Sequence, residues 1–195
     1  QTPHPRILMS ASNLESAQFV GEFPSMVGLT LVSDLDVARS IIDGFLESAR
    51  AHGRAPSPED ILVGQQTCIA ETDEEAEDIM AKALAYFHGV LMRPQQDAQR
   101  IVIQKTRFFG QEGAGDYFMK RLQTLKGRTI KEQIEAGSIL CGSPQSVVKQ
   151  IKRLRQHLGA AHINMNMKLG NMPDTAVIKG MELFRDKVLP EVRAL

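Results

Sequence analysis

Residues 61–88, ILVGQQTCIAETDEEAEDIMAKALAYFH, join a strand to a helix and decide the fold class. The run Ile61–Ala70 is apolar and β-prone, which predicts a buried strand. Thr72 and Glu75 have the spacing of a capping box, which predicts a helix from Asp73 to about His88. A buried strand followed at once by a helix is the repeating unit of a parallel α/β sheet.

The same unit occurs on both sides of this stretch. Strands are predicted at Arg6–Ser10, Met26–Val32 and His162–Leu169, each followed by an amphipathic helix. A further helix is predicted from Ser143 as its cap to Gly159. The predicted final helix begins at Asp174 and turns four apolar side chains inward: Val177, Met181, Phe184 and Val188.

Four βα units are half of an eight-stranded barrel, and right-handed crossovers would curl them in one sense. Between about residues 92 and 136 the alternation breaks, which predicts an insertion in the third crossover. Periodicity does not fix strand order, so a small doubly wound sheet competes with the barrel.

Composition limits the classes of function. The 23 Lys and Arg balance the 23 Asp and Glu without runs of one sign, so neither nucleic acid nor a lipid surface is an expected partner. No stretch approaches the roughly 20 apolar residues of a membrane span, and no signal peptide is evident, so we expect a cytoplasmic protein. The chain begins at Gln1 within a Pro-rich phrase, which favours a fragment of a longer protein.

The cysteines and histidines do not have the spacing of metal ligands, so we predict no metal. Cys68 and Cys141 are expected to be free thiols in a reducing compartment.

Several phrases occur together in one order: QTPHPRI at 1–7, SAS at 10–12, GSPQSV at 142–147, and MELF at 181–184 followed by VLP at 188–190. In combination they resemble the bacterial luciferase-like family of flavin-dependent monooxygenases. The resemblance covers nearly the whole chain and corresponds to the C-terminal half of that family's domain.

The resemblance implies a (β/α)8 TIM barrel, of which residues 1–195 supply about the last four βα units and the insertion. It implies that reduced FMN, supplied by a separate flavin reductase, reacts with O2 and oxygenates a small organic substrate. In relatives the first half of the barrel carries much of the isoalloxazine pocket and the candidate acid-base residues. We therefore expect either a homo-oligomer or a missing N-terminal half.

Two alternatives to this activity stay open. The chain could be a truncated, catalytically silent module for flavin binding or assembly. It could also belong to a deazaflavin-dependent oxidoreductase of the same superfamily.

The predicted cofactor site is the junction of the first strand and the first helix, formed by Ser10, Ala11, Ser12 and Asn13. Free backbone N–H groups and the positive end of the helix dipole suit a phosphate there, and small side chains allow close approach. The resemblance implies the same place, because the family holds its flavin phosphate at the corresponding turn. Ser12 or Asn13 could instead be only a helix cap.

Other candidates are less specific, and no residue is assigned as catalytic. Asn164, Asn166 and Lys168 alternate with methionines on the last strand, so they share one face and could bond flavin, substrate or each other. Asp34 and Glu71 end strands but are more typical of helix capping and of a solvated charge.

Arg107, Phe108 and Phe109, followed by glycines, predict either a lid or an arm that packs on a neighbouring subunit.

Overall fold

The sheet of the computed structural model is entirely parallel. The structure describes residues 2, 4–30, 32–94, 98 and 127–193, and within them five strands form. All four predicted strands are present, and a short one that the sequence pattern did not reveal is added between the third and the last. The strands are β1 Leu8–Ser10, β2 Met26–Leu29, β3 Ile61–Ile69, β4 Ile139–Gly142 and β5 His162–Asn166.

Strand β3 pairs with three neighbours. Its first residues are in register with β2, from Val27 opposite Ile61. Its middle pairs with β5, and its last four residues pair with β4. The order β1, β2, β3 follows the chain without the reversal that a doubly wound sheet requires, so the fold is of the barrel type.

The helices begin where the sequence signals place them. Asn13, Asp34 and Thr72 cap the first three, and Ser143 with Pro144 starts the long helix after β4. Gly159 ends that helix with φ +66°, a conformation that favours glycine. The helices are α1 Leu14–Gly21, α2 Leu35–Ala51, α3 Asp73–Tyr86, α4 Ile130–Glu135, α5 Pro144–Leu158, α6 Asp174–Leu183 and α7 Leu189–Val192.

The end of the chain departs from the predicted helix. A π-helical turn, Phe184–Val188, separates α6 from α7. Leu183 and Val188, five residues apart, are both buried, whereas Met181 is 50% exposed. The prediction that Met181 faces inward was wrong, because α6 turns Gly180 and Leu183 toward the core and leaves Met181 beside them exposed.

Asp73 ties the N-terminus of α3 to that of α5. Its Oδ1 accepts a hydrogen bond from the backbone N–H of Ser143 at 2.6 Å, and its Oδ2 accepts one from the Ser146 hydroxyl at 2.9 Å. The Ser143 N–H holds the pKa of Asp73 below its usual value, against the opposing effect of burial. One carboxylate thus links two βα units that lie 70 residues apart in the chain.

We expect Asp73→Ala to lower the free energy of unfolding by about 1.5–3 kcal/mol, because it removes a charged acceptor from a helix N-terminus. Asp78→Ala is the matched control on α3, since its exposed pair with Lys82 contributes about 0.5 kcal/mol or less. Urea unfolding at neutral pH measures both.

The pH dependence has a defined sign. Because folding lowers the pKa of Asp73, its stabilisation is complete above the unfolded value of about 3.9 and is lost as pH falls through the folded value. Equal urea midpoints for the Asp73 and Asp78 variants at neutral pH would show that Asp73 does not tie the two units together.

Candidate functional site

An open cleft of about 470 Å³ lies along the paired strands β3 and β5. Polar side chains and backbone line part of it, and three methionines, Met165, Met167 and the exposed Met181 of α6, line the rest. The polar lining residues are Thr30, Gly64, Gln65, Gln66, Asn164, Asn166 and Lys168.

The floor of the cleft depends on a glycine. A Cβ atom on Gly64 would lie 2.5 Å from the carbonyl oxygen of Thr30, closer than any side chain allows. The end of β2 therefore approaches β3 at backbone distance, and the floor is formed by main chain.

Carboxamides supply the hydrogen-bonding groups of the cleft. Asn164 and Asn166 are exposed on β5, and Gln66 of β3 is the register partner of Asn166. Ile163 and Met165 are half-buried and pack against the buried cluster of α5, whereas Asn164 and Asn166 are exposed, so the predicted alternation is present, although Met165 also borders the cleft. Carboxamides donate and accept hydrogen bonds without charge, which suits the polar edge of a neutral ring.

Lys168 stands at the rim and is already bonded. Its Nζ donates to the carbonyl oxygen of Met172 at 2.5 Å and to Oδ1 of Asp174 at 2.6 Å. Lys168 also lowers the pKa of Asp174 through this hydrogen bond. Its charge is thus balanced by the carboxylate of Asp174 at the start of α6.

The predicted phosphate turn follows β1. Ser10 ends the strand and is exposed, and Ser12 is exposed as well. Ala11 is buried, with its N–H donating to the carbonyl oxygen of Gly28 at 2.9 Å. Two hydroxyl groups therefore face outward from a turn that the neighbouring strand holds in place.

Asn13 at this turn acts as a helix cap. Its Oδ1 accepts a hydrogen bond from the N–H of Ser16 at 2.8 Å. The Ser16 hydroxyl in turn accepts from the N–H groups of Ser12, at 3.1 Å, and Asn13, at 3.2 Å. The first-turn N–H groups of Leu14 and Glu15 have no acceptor within the helix, so they stay available to a ligand.

The assignment of residues 10–13 to a phosphate stays a prediction. The capping alternative is realised in part, because Ser16 occupies two of the N–H groups. The Glu15 carboxylate in the first turn also competes with an anion for the positive end of the helix.

Asp34 is a helix cap, and Glu71 is a solvated charge. Asp34 accepts from the N–H of Asp36 at 3.0 Å and pairs with Arg128 at 3.3 Å. Glu71 is exposed and lies 3.5 Å from Lys179 and 3.6 Å from Lys187.

The predicted lid, Arg107 to Phe109, lies outside the described residues. Within the ranges that the structure describes, His, Cys, Asp and Glu side chains form no group arranged to hold a metal ion. Each helix of these ranges is also too short or too polar to span a bilayer.

The cleft residues Thr30 and Gln66 were not singled out from the sequence. The signal that could have found Gln66 is the pair Gln65-Gln66 inside an otherwise apolar strand. The two glutamines differ in role: Gln65 is 2% exposed and its Nε2 donates to the carbonyl oxygen of Gly137 at 2.8 Å. Gln65 therefore borders the cleft with its amide N–H group already bonded within the fold, and Gln66 borders the cleft opposite Asn166.

Comparison with known proteins identifies a family. The sequence model of the luciferase-like monooxygenase family matches residues 1–162. Comparison with curated protein sequences gave no match.

Several solved structures have a similar fold. The monooxygenase RslO1 from Streptomyces bottropensis is 22% identical with a TM-score of 0.67, over 98% of this chain and 50% of that one. The oxygenating constituent of 3,6-diketocamphane monooxygenase from Pseudomonas putida, in complex with FMN, is 20% identical with a TM-score of 0.63, over 97% and 49%.

A third similar structure is the coenzyme F420 dependent tetrahydromethanopterin reductase from Methanopyrus kandleri. It is 19% identical with a TM-score of 0.58, over 94% of this chain and 50% of that one. The chain thus spans about half the length of these structures, and its parallel sheet corresponds to part of their barrel.

We expect Gly64→Ala to destabilise the fold by about 1–3 kcal/mol, because the added methyl group displaces the Thr30 carbonyl. Gly89→Ala is the control: a Cβ there meets no atom within 4 Å, and alanine favours a helix by up to about 1 kcal/mol. Urea midpoints measure both, and a Gly64 variant as stable as the Gly89 variant would refute the close approach.

Proposed function

This chain belongs to the luciferase-like monooxygenase family, and we propose that it forms the C-terminal half of a flavin-dependent monooxygenase. In this proposal the complete barrel binds reduced FMN from a separate reductase and oxygenates an organic substrate with O2. The observation that carries it is a pair of sites: an open serine turn at the carboxyl end of β1, and a carboxamide cleft along the middle of β3 and the carboxyl end of β5. Barrels place their active sites at this end.

The turn after β1 would hold the phosphate. The exposed hydroxyls of Ser10 and Ser12 can donate to phosphate oxygens, and the N–H groups of Leu14 and Glu15 add two backbone donors. This donor set fits one phosphate ester, although the Glu15 carboxylate opposes it.

The cleft would hold the ring system or the substrate. The carboxamides of Gln66, Asn164 and Asn166 can donate to ring carbonyls and accept from a ring N–H. Met181 and the main-chain floor at Gly64 would add apolar and flat contact surface. The flavin supplies the reaction with O2, while the protein orients it and excludes water.

A deazaflavin-dependent oxidoreductase is the second candidate. It is favoured by the similarity to the F420 dependent reductase, whose identity to this chain is close to that of the FMN complex. The donor sets described above suit either cofactor, so the affinities for FMN and F420 distinguish the two. A catalytically silent flavin-binding module would bind FMN but oxygenate nothing, even when joined to an N-terminal half.

We expect the chain to bind FMN, and Ser10→Ala/Ser12→Ala to weaken binding about tenfold or more for each hydroxyl, since each charged hydrogen bond contributes about 1.5–3 kcal/mol. Titration followed by flavin fluorescence, with oxidised and with reduced FMN, measures this. Ser40→Ala is the control, because that exposed hydroxyl of α2 bonds only its own helix, at Val37.

Loss of binding in the double variant alone would support the phosphate turn. Equal affinity for FMN in the unsubstituted chain, the double variant and the Ser40 variant would show that the phosphate binds elsewhere. No binding to the unsubstituted chain would mean that this half is a scaffold whose flavin site needs the other half.

The free edge of β1 supports the proposed partner. Within the described residues β1 pairs only with β2, and Ile7 and Leu8 are 47% and 49% exposed. An unpaired strand edge with apolar side chains binds another strand readily. In the proposal an N-terminal half, or a second copy of this chain, covers it.

We therefore expect the isolated chain to self-associate, and Leu8→Lys to shift it toward the monomer because a charge on an edge strand opposes pairing. Val37→Lys is the control, since Val37 is exposed on the outer helix α2. Light scattering measures the mass, and a stable monomer of the unsubstituted chain would contradict the half-barrel account.

A further inference from the structure

The two cysteines of the chain lie side by side in the sheet. Cys68 of β3 and Cys141 of β4 are register partners, and contact between the two thiols lowers the pKa of Cys68 and raises that of Cys141. Partners on adjacent parallel strands are about 4.8 Å apart and project from the same face. Disulfides join Cα atoms separated by about 4.4–6.8 Å, so the two residues stand at bonding distance.

The backbone of Cys141 is fixed by a side chain. Its N–H donates to Oε1 of Gln150 at 2.9 Å, and its carbonyl oxygen accepts from Nε2 of the same residue at 2.7 Å. This double hydrogen bond from α5 keeps β4 straight beside β3. The Cys141 thiol is therefore held toward Cys68.

A small cavity adjoins Cys68. It has a volume of about 10 Å³ and is bordered by Met172 and by Val177 and Gly180 of α6. This is about the space of one water molecule, and hydrogen peroxide is only slightly larger. Cys68 and Cys141 are 6% and 1% exposed, so the cavity beside Cys68 has room for a small oxidant but not for a bulky reagent.

The pair has an internal division of roles. Cys68 borders the cavity and Cys141 does not, so a small oxidant reaches Cys68 first. Contact with the Cys141 thiol also lowers the pKa of Cys68, and the thiolate is the form that attacks a peroxide.

We propose that Cys68 and Cys141 form a dithiol site that a hydroperoxide converts to a disulfide joining β3 to β4. The sulfur of Cys68 attacks one peroxide oxygen, the O–O bond breaks, and a sulfenic acid and one water form. The sulfur of Cys141 then attacks the Cys68 sulfur, and the hydroxyl leaves as a second water after taking up the Cys141 proton. Two thiols are oxidised and one peroxide is reduced, without flavin.

The bond would tie together both ends of the segment that leaves the sheet after β3 and returns at β4. Oxidised chain should therefore unfold at higher urea concentration than reduced chain.

The test treats the reduced chain with hydrogen peroxide, quenches it, and maps tryptic peptides without reduction. We expect peptides 55–82 and 132–149 to appear as one cross-linked species, with both thiols lost and recovered by dithiothreitol. Sulfoxide at the half-exposed Met181, in peptide 180–185, proves that peroxide was active in each sample.

Single variants define the roles. In Cys141→Ser, Cys68 should gain oxygen atoms as sulfinic acid, whereas in Cys68→Ser the Cys141 thiol should persist. Circular dichroism checks that each variant folds. If a variant does not fold, the peptide map of the unsubstituted chain alone tests whether the disulfide forms. The proposal would be overturned if both thiols stayed reduced in a sample in which Met181 was oxidised. It would also be overturned if the cross-link formed only between two chains.

Discussion

The hydrogen-bond ladder of strand β3 is the interaction on which the rest of the structure depends. Its nine residues pair with β2, β5 and β4 along successive parts of its length. Register matters more here than in an ordinary strand, because a shift of one residue moves every side chain to the other face. Such a shift would remove the bond from Gln65 to Gly137 and the pairing of Gln66 with Asn166 at once.

The sequence predicts the elements whose signals are strong and local. The helix starts at Asn13, Thr72 and Ser143 are correct because a cap depends only on residues within one turn. Strand β4 was missed because its four residues are too few to show a period, and it is defined by pairing with distant Gln66–Ile69. Met181 was misplaced because the apolar period does not say which side of Gly180 faces the core: the helix buries Gly180 and Leu183 and leaves Met181 exposed.

The candidate site was predictable only in part, because the same residue types are found at phosphate sites and at helix caps. Serine and asparagine at a helix start bind a phosphate or cap the helix, and the choice depends on Ser16, whose hydroxyl takes two N–H groups. The alternation of Asn164 and Asn166 followed from the two-residue period of a strand. That they face an open cleft with Gln66 depends on the pairing of β3 with β5, which joins residues about a hundred positions apart and leaves no local signal.

The polarity of the cleft follows from its position in half a barrel. A complete barrel fills its interior with side chains from all its strands, mostly branched and apolar ones. Among the described strands, the side of β3 and β5 that bears the cleft is open, and carboxamides share its lining with three methionines. A buried carboxamide needs partners on several atoms, and water supplies them while the cleft is open. If another surface closed over the cleft, each amide would need a partner from that surface or from a bound ligand, since an unpaired one costs about 1–3 kcal/mol. The cleft is therefore better suited to bind a partly polar ligand than to serve as a packing surface.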